Sequence, residues 1–250
     1  METFFCRAAD AELTRDELRC ESCPLSVTGT EKGTENSCVY RENDKDFPDF
    51  AGGECAEGCQ MLQEALQFAA MAHKGAFRKG SRVPYILHPM ETAMTTLRMT
   101  GDVTLASAAA LHDVIEDTSY TYEDILCRFG KHVADIVLEE SENKRRDMTP
   151  EQSWKIRKEE GLERISKASR DAKVVALSDK LSNMRATHRG YLQQKDTVFE
   201  RFHSKKKEDH AWYHGGLLDA LSELSYTQEY QEYVRLYEDV FGKSPDAKQE

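Results

Sequence analysis

From Met61 onward, apolar residues recur at helical intervals. Leu62, Ala65, Leu66, Ala69 and Ala70 fall three and four apart and mark the buried stripe of an amphipathic helix running towards His73. Pro89 suits the start of a second helix, whose stripe Met90, Ala93, Met94 and Leu97 ends at Gly101, a natural C-terminal stop. Residues 105–111 are almost uniformly apolar, which predicts a fully buried helix continuing through His112. Thr121 followed by Asp124 predicts an N-cap with acidic support, leading Ile125 and Leu126 into Phe129 and a stop at Gly130. Val133, Ile136 and Val137 mark a further short helix. Thr149, Pro150 and Gln152 supply an N-cap, a first-turn proline and a capping-box partner for a long charged helix. Val174, Val175, Leu177, Leu181 and Met184 predict a helix from about Asp171, with a β-branched start that leaves strand ambiguity. Two C-terminal helices follow, one on Leu217, Leu218, Leu221 and Leu224, the other on Tyr230, Tyr233, Val234, Tyr237 and Phe241. Nothing alternates long enough to require a sheet, so the expected class is all-α.

Residues 1–60 lack this periodicity and are expected to form a separate, mostly irregular segment ahead of a helical domain over 61–250. Six of the seven cysteines lie there (Cys6, Cys20, Cys23, Cys38, Cys55 and Cys59), with only Cys127 beyond. Cys20-x-x-Cys23 has a knuckle-like spacing that, with Cys6 and Cys38, would make a four-thiolate zinc site. An iron–sulfur site and free thiols in a flexible extension are the alternatives.

Charge narrows the partners. Residues 1–60 carry six Lys or Arg against fourteen Asp or Glu, a net of −8, leaving −3 of the total −11 for the rest. So acidic a chain is poorly suited to long nucleic acid, whose binding needs many cations on one face. No run approaches the roughly 18 apolar residues of a membrane span, and the N-terminus lacks a basic-then-apolar leader, so a cytoplasmic location is expected.

The chemistry concentrates in three places. His112 and Asp113 follow the apolar run, where an unpaired imidazole and carboxylate are costly. On a continuous helix His112 would lie above Glu116, and Asp113 above Asp117, gathering three carboxylates and an imidazole that a divalent cation would reconcile. His88 precedes Pro89, and Asp179 interrupts the apolar run from Val174 to Leu181. Two imidazoles and two carboxylates suit manganese, iron or zinc better than calcium.

The ordered set His88-Pro89, His112-Asp113 and Asp179 resembles the metal signature of the HD phosphohydrolase superfamily. More narrowly, residues 72–79, 84–89, 112–118 and 179–185 are similar to the hydrolase domain of stringent-response enzymes and their stand-alone relatives, the small alarmone hydrolases. The similarity spans roughly residues 61–225. It implies an HD-domain helical bundle in which His88, His112, Asp113 and Asp179 ligate one Mn2+. Glu116 and Asp117 would position or deprotonate the attacking water. Arg78 and Lys79 would contact the guanine base and a neighbouring phosphate, and Asn183 the ribose or phosphate. The implied reaction releases pyrophosphate from the 3′ position of guanosine tetraphosphate or pentaphosphate (ppGpp or pppGpp), leaving GDP or GTP. The chain is too short to add the synthetase domain of the long enzymes, so hydrolysis without synthesis is expected. Lys74, Arg78, Lys79 and Arg82 place four cations within nine residues, as a polyanionic nucleotide requires.

Ser182 departs from the family, where histidine is common. Two rival readings stay open: an HD phosphohydrolase acting on another 2′- or 3′-phosphorylated nucleotide or a deoxynucleotide, and a noncatalytic alarmone-binding sensor. His73 is read as packing, and His132, His188, His203, His210 and His214 show no mutual ligand spacing.

Overall fold

The computed structural model describes residues 3–6, 11–14 and 53–242, apart from Asn143 and Arg146, with side chains from Gln60 onward. The described chain is overwhelmingly helical, as the apolar spacing predicts. Strands β1 (Thr3–Cys6) and β2 (Ala11–Thr14) pair antiparallel near the N-terminus, with Cys6 opposite Ala11. Cys20, Cys23 and Cys38 lie outside the described residues, and with them the expected zinc site.

Helix α1 (Gly53–Ala72) crosses the change of composition at Met61. Helix α2 (Leu87–Thr100) starts two residues before Pro89 and ends on Gly101, whose φ of 70° closes the helix with an N–H bond to Leu97 O. Pro89 still lies in the first turn, where its missing N–H costs nothing. Asp102 caps α3 (Val103–Leu111) by accepting from the N–H groups of Thr104 and Leu105. Ala106, Ala108, Ala109 and Ala110 are completely buried. Their small side chains let α3 run through the middle of the body, against α1, α2, α5 (Tyr122–Glu140) and α7 (Arg170–Gln194).

The helix expected to continue through His112 does not do so. It stops at Leu111, and the chain turns through His112 and Asp113 before the short α4 (Val114–Asp117). Adjacent residues on an unbroken helix point about 100° apart. The break frees His112 and Asp113 to face the same point. Helix α5 opens at the expected N-cap Thr121, which forms a capping box with Asp124, and is bent at Gly130, where φ 80° and ψ 171° are open to glycine. The two helices expected on either side of Gly130 meet at this non-helical residue, so the helical path does break where the glycine predicted.

Helix α6 (Pro150–Lys167) begins with the Thr149–Gln152 capping box. Ser169 caps α7, whose β-branched start is helical because Val174 and Val175 are buried on different sides of it. Helices α8 (Lys207–Ala220) and α9 (Gln228–Phe241) complete the body, with Leu224 in a 3-10 turn between them. The core has two apolar clusters, one built on α1, α2, α3 and α5, the other on α6, α8 and α9. Helix α7 contributes to both.

Candidate metal centre

Helix α2 supplies His88 from its first turn, the α3–α4 break supplies His112 and Asp113, and the middle of α7 supplies Asp179. His88 Nε2 lies 3.0 Å from Asp179 Oδ1 and 3.6 Å from Asp113 Oδ2. His112 Nε2 lies 2.8 Å from Asp113 Oδ2 and 3.6 Å from Asp179 Oδ1. The facing donor atoms of His88, His112 and Asp179 are all within 4.8 Å of one another. Among the described residues these three buried side chains form a group able to hold a metal ion.

Hydrogen bonds fix how the imidazoles face this point. His112 Nδ1 is 2.8 Å from the Ala109 carbonyl, which only accepts, so Nδ1 carries the proton. In the neutral ring, Nε2 then presents a lone pair to two carboxylates. That atom is buried and makes no well-aligned hydrogen bond despite its nearness to Asp113. A lone pair held against anionic oxygens is unfavourable unless a cation stands between them. The donor set therefore fits a divalent ion, as the residue types implied.

The demand of these carboxylates for positive charge also shows in the proton affinity of the imidazole itself. Burial pulls the His112 imidazole down, but the Asp113 and Asp179 carboxylates outweigh it and hold the ring well above its ordinary range. Burial pushes Asp113 and Asp179 up. His112 overcomes this for Asp113, and Lys180 with the two imidazoles overcomes it for Asp179, so both lie below the usual carboxylate range. His88 is lowered by burial.

Glu116 and Asp117 stand beside this group on α4. Burial, followed by the charges of Asp113 and Glu142, pushes Glu116 up to about 7. Its Oε2 accepts the Glu142 N–H at 3.1 Å. Lys144 pairs with Asp117 and approaches Glu116 Oε1 to 3.9 Å. A cavity of about 370 Å³ opens here, walled by Glu116, Glu142, Lys144 and Arg145. Lys144 was not singled out from the sequence, where it reads as one more charge in an Asn-Lys-Arg-Arg run.

The residues expected to contact substrate also adjoin the metal group, and Lys79 lies within electrostatic reach of Asp117 and Lys144. Arg78 N–H bonds to Val83 O, and Tyr85 N–H to Ala76 O, so residues 76–85 fold back as a short antiparallel loop. Arg78 Nη2 donates to Asn183 Oδ1 at 2.7 Å, and Asn183 Nδ2 donates to Asp179 Oδ1 at 2.6 Å. Lys79 is lowered by desolvation and by the nearby Lys158 and Arg157 charges. Tyr85, also missed from the sequence, donates its hydroxyl to Asp113 Oδ2 at 2.6 Å. Its position three residues before His88, facing back from the helix start, is the signal that was available.

The other histidines do not join the donor set, although His73 lies within electrostatic reach of it. His73 is buried against the Tyr85 ring, His210 bonds Ser204 O, and His214 bonds the Tyr233 hydroxyl. His132, His188 and His203 each face a separate carboxylate. Tyr213 packs under Lys158, whereas Trp212 is 40% exposed beside Trp154.

Comparison with known proteins agrees with this arrangement. Residues 65–205 match the HD domain family model. The chain is 37% identical over 142 residues to guanosine-3′,5′-bis(diphosphate) 3′-pyrophosphohydrolase MESH1 of Xenopus tropicalis, covering 54% of this chain and 76% of that protein. The Homo sapiens protein of the same name is 36% identical over 137 residues, covering 54% and 73%. Among solved structures, a metazoan SpoT ortholog described as hydrolysing ppGpp is similar with a TM-score of 0.56 and 25% identity, over 71% of this chain and 93% of that one. The protein lmo0812 of Listeria monocytogenes EGD-e gives 0.53 and 27%, over 67% and 100%. The matched span carries His88, His112, Asp113 and Asp179 on the helices that bring them together, and the chain belongs to the HD domain family.

Proposed function

We propose that this protein is a metal-dependent hydrolase that removes the 3′ diphosphate of ppGpp or pppGpp. His88, His112, Asp113 and Asp179 would hold a single Mn2+. The observation that carries this reading is the convergence of four nitrogen and oxygen donors beside Arg78 and Asn183, residues suited to a nucleotide. The relatives at 36–37% identity are named for this reaction.

When bound, a divalent ion neutralises phosphate charge and lowers the pKa of its water. Glu116 accepts the proton of the attacking water, a role for which a pKa near 7 is well matched. The water oxygen forms a bond to the phosphorus attached at the ribose 3′ oxygen, and the bond from that phosphorus to the 3′ oxygen breaks. Pyrophosphate leaves, and the 3′ oxygen takes up a proton, giving GDP or GTP. Asp117, tied to Lys144, orients the water, and Lys144 meets the charge of the diphosphate. Arg78 presents a planar cation to the guanine, which lysine does not reproduce. Positioning and charge neutralisation are what phosphoryl transfer chiefly demands.

Incubating the purified protein with Mn2+ and a panel of ppGpp, pppGpp, other 2′- and 3′-phosphorylated nucleotides and deoxynucleotides tests the assignment. Release of pyrophosphate with GDP or GTP is expected. Cleavage of other nucleotides with none of ppGpp would reject the substrate, and tight binding without turnover would favour a sensor. No helix among the described residues is long and apolar enough to cross a membrane. The proposed setting is the cytoplasm, with a small nucleotide as partner. The division at residue 60 stands as a proposal that an inactive protein starting at Met61 would overturn, and zinc at Cys6, Cys20, Cys23 and Cys38 as one that elemental analysis tests.

A further inference from the structure

Behind His88 runs a chain of hydrogen bonds with a defined direction. His88 Nδ1 lies 2.9 Å from Ser182 Oγ, and Ser182 Oγ donates its one hydrogen to Glu91 Oε2 at 2.8 Å. Glu91 Oε1 accepts from Arg185 Nη1 at 3.1 Å, and Arg185 also forks onto both carboxylate oxygens of Glu232. His88 and Glu91 are one turn apart on α2, Ser182 and Arg185 one turn apart on α7, and Glu232 lies on α9. His88 and Ser182 are both almost fully buried.

Every donor in this chain is determined by chemistry. Arginine only donates and an ionised glutamate only accepts, so the Ser182 hydrogen belongs to Glu91. The Ser182 oxygen must then accept from His88 Nδ1–H, which leaves the Nε2 lone pair facing the metal position. The competing tautomer puts the proton on Nε2, where Asp179 Oδ1 at 3.0 Å would accept it and block that lone pair.

We infer that Ser182, polarised by Glu91, is a positioning residue of the metal centre that selects the metal-binding tautomer of His88. Arg185 and Glu232 hold Glu91 in place, so the seating of α9 bears on metal affinity. This rests on the reading of His88 as a metal ligand.

The test is titration of Mn2+ and Co2+ into the metal-free full-length protein by calorimetry, with visible absorption of the Co2+ form. Ser182→Ala should weaken binding by about 10–100-fold, the usual effect of losing an outer-shell partner. Ser182→Thr, which keeps the hydroxyl, should restore it. Glu91→Gln changes no volume, but its amide can donate to Ser182, turning the serine hydrogen onto His88 Nδ1. It should therefore weaken binding as Ser182→Ala does and alter the Co2+ spectrum, which a merely space-filling role would not. If Ser182→Ala does not fold, Glu91→Gln decides alone. Wild-type affinity and an unchanged spectrum in the variants would overturn the relay while leaving the metal site standing. Absence of ion binding in the wild type would instead remove both.

Discussion

Tyr85 donates its hydroxyl hydrogen to Asp113 Oδ2 across 2.6 Å, tying the loop after α1 to a proposed metal ligand. Burial, then the Asp113 charge, pushes the phenol pKa up, so Tyr85 remains a donor at any ordinary pH. Tyr85→Phe should preserve the fold, free the Asp113 rotamer and weaken Mn2+ binding by about 10-fold. Calorimetry checks this, and unchanged affinity would show that Asp113 is oriented without the phenol.

Asp113→Ala removes the oxygen nearest to His112 Nε2. Both bound metal, measured by elemental analysis, and turnover of ppGpp should disappear. Retained turnover in this variant rules out the proposed mechanism.

Glu116 must be ionised to act as a base, so activity should fall as pH drops through its pKa. Burial raises that value to about 7, with Asp113 and Glu142 adding to it. A bound cation opposes the Asp113 charge, so the acidic limb of kcat/KM should lie at or below about 7. Glu116→Gln should lower kcat by about 100- to 10,000-fold and abolish that limb. A limb that persists in the variant would assign the titration to another group.

Arg78→Lys keeps the charge but loses the planar donor that reaches Asn183. A hydrogen bond involving a charged group contributes about 1.5–3 kcal/mol, so kcat/KM for ppGpp should fall by roughly 10–100-fold. Metal affinity should change little. Equal kinetics for the two proteins would place the guanine elsewhere.

Glu140 offers a stability test independent of activity. It is 5% exposed, its Oε1 has no hydrogen-bond partner, and burial raises it from 4.5 to about 7. The folded state holds this proton more tightly than the unfolded chain. Its contribution is thus complete below about 4.5 and is lost as pH rises through 7. By pH 8 the ionised group costs roughly 3 kcal/mol. Glu140→Gln should raise the melting temperature at pH 8 and leave it nearly unchanged at pH 4.5. A similar gain at both values would mean the glutamate stays ionised.

Much of the framework was readable from residue spacing because helix caps are local. Asp124 and Gln152 sit three residues after Thr121 and Thr149, and both boxes form. His112, Asp113 and Asp179 stood out because polar residues in apolar runs demand a partner, whereas His88 entered through its place in the ordered set that resembles the HD signature. The break between α3 and α4 was not readable, since neither glycine nor proline marks it. Ser182, Glu91 and Tyr85 were missed for a related reason. Their function depends on which helix faces them, and no interval along the chain encodes that.

Helix α7 carries Asp179 and packs into both apolar clusters. Neither half can therefore melt alone without displacing an aspartate of the centre. Amides near Asp179 should exchange with deuterium only through whole-molecule opening. Ion binding at one point would then slow exchange in helices on both sides, and loss of either half would silence the site at once.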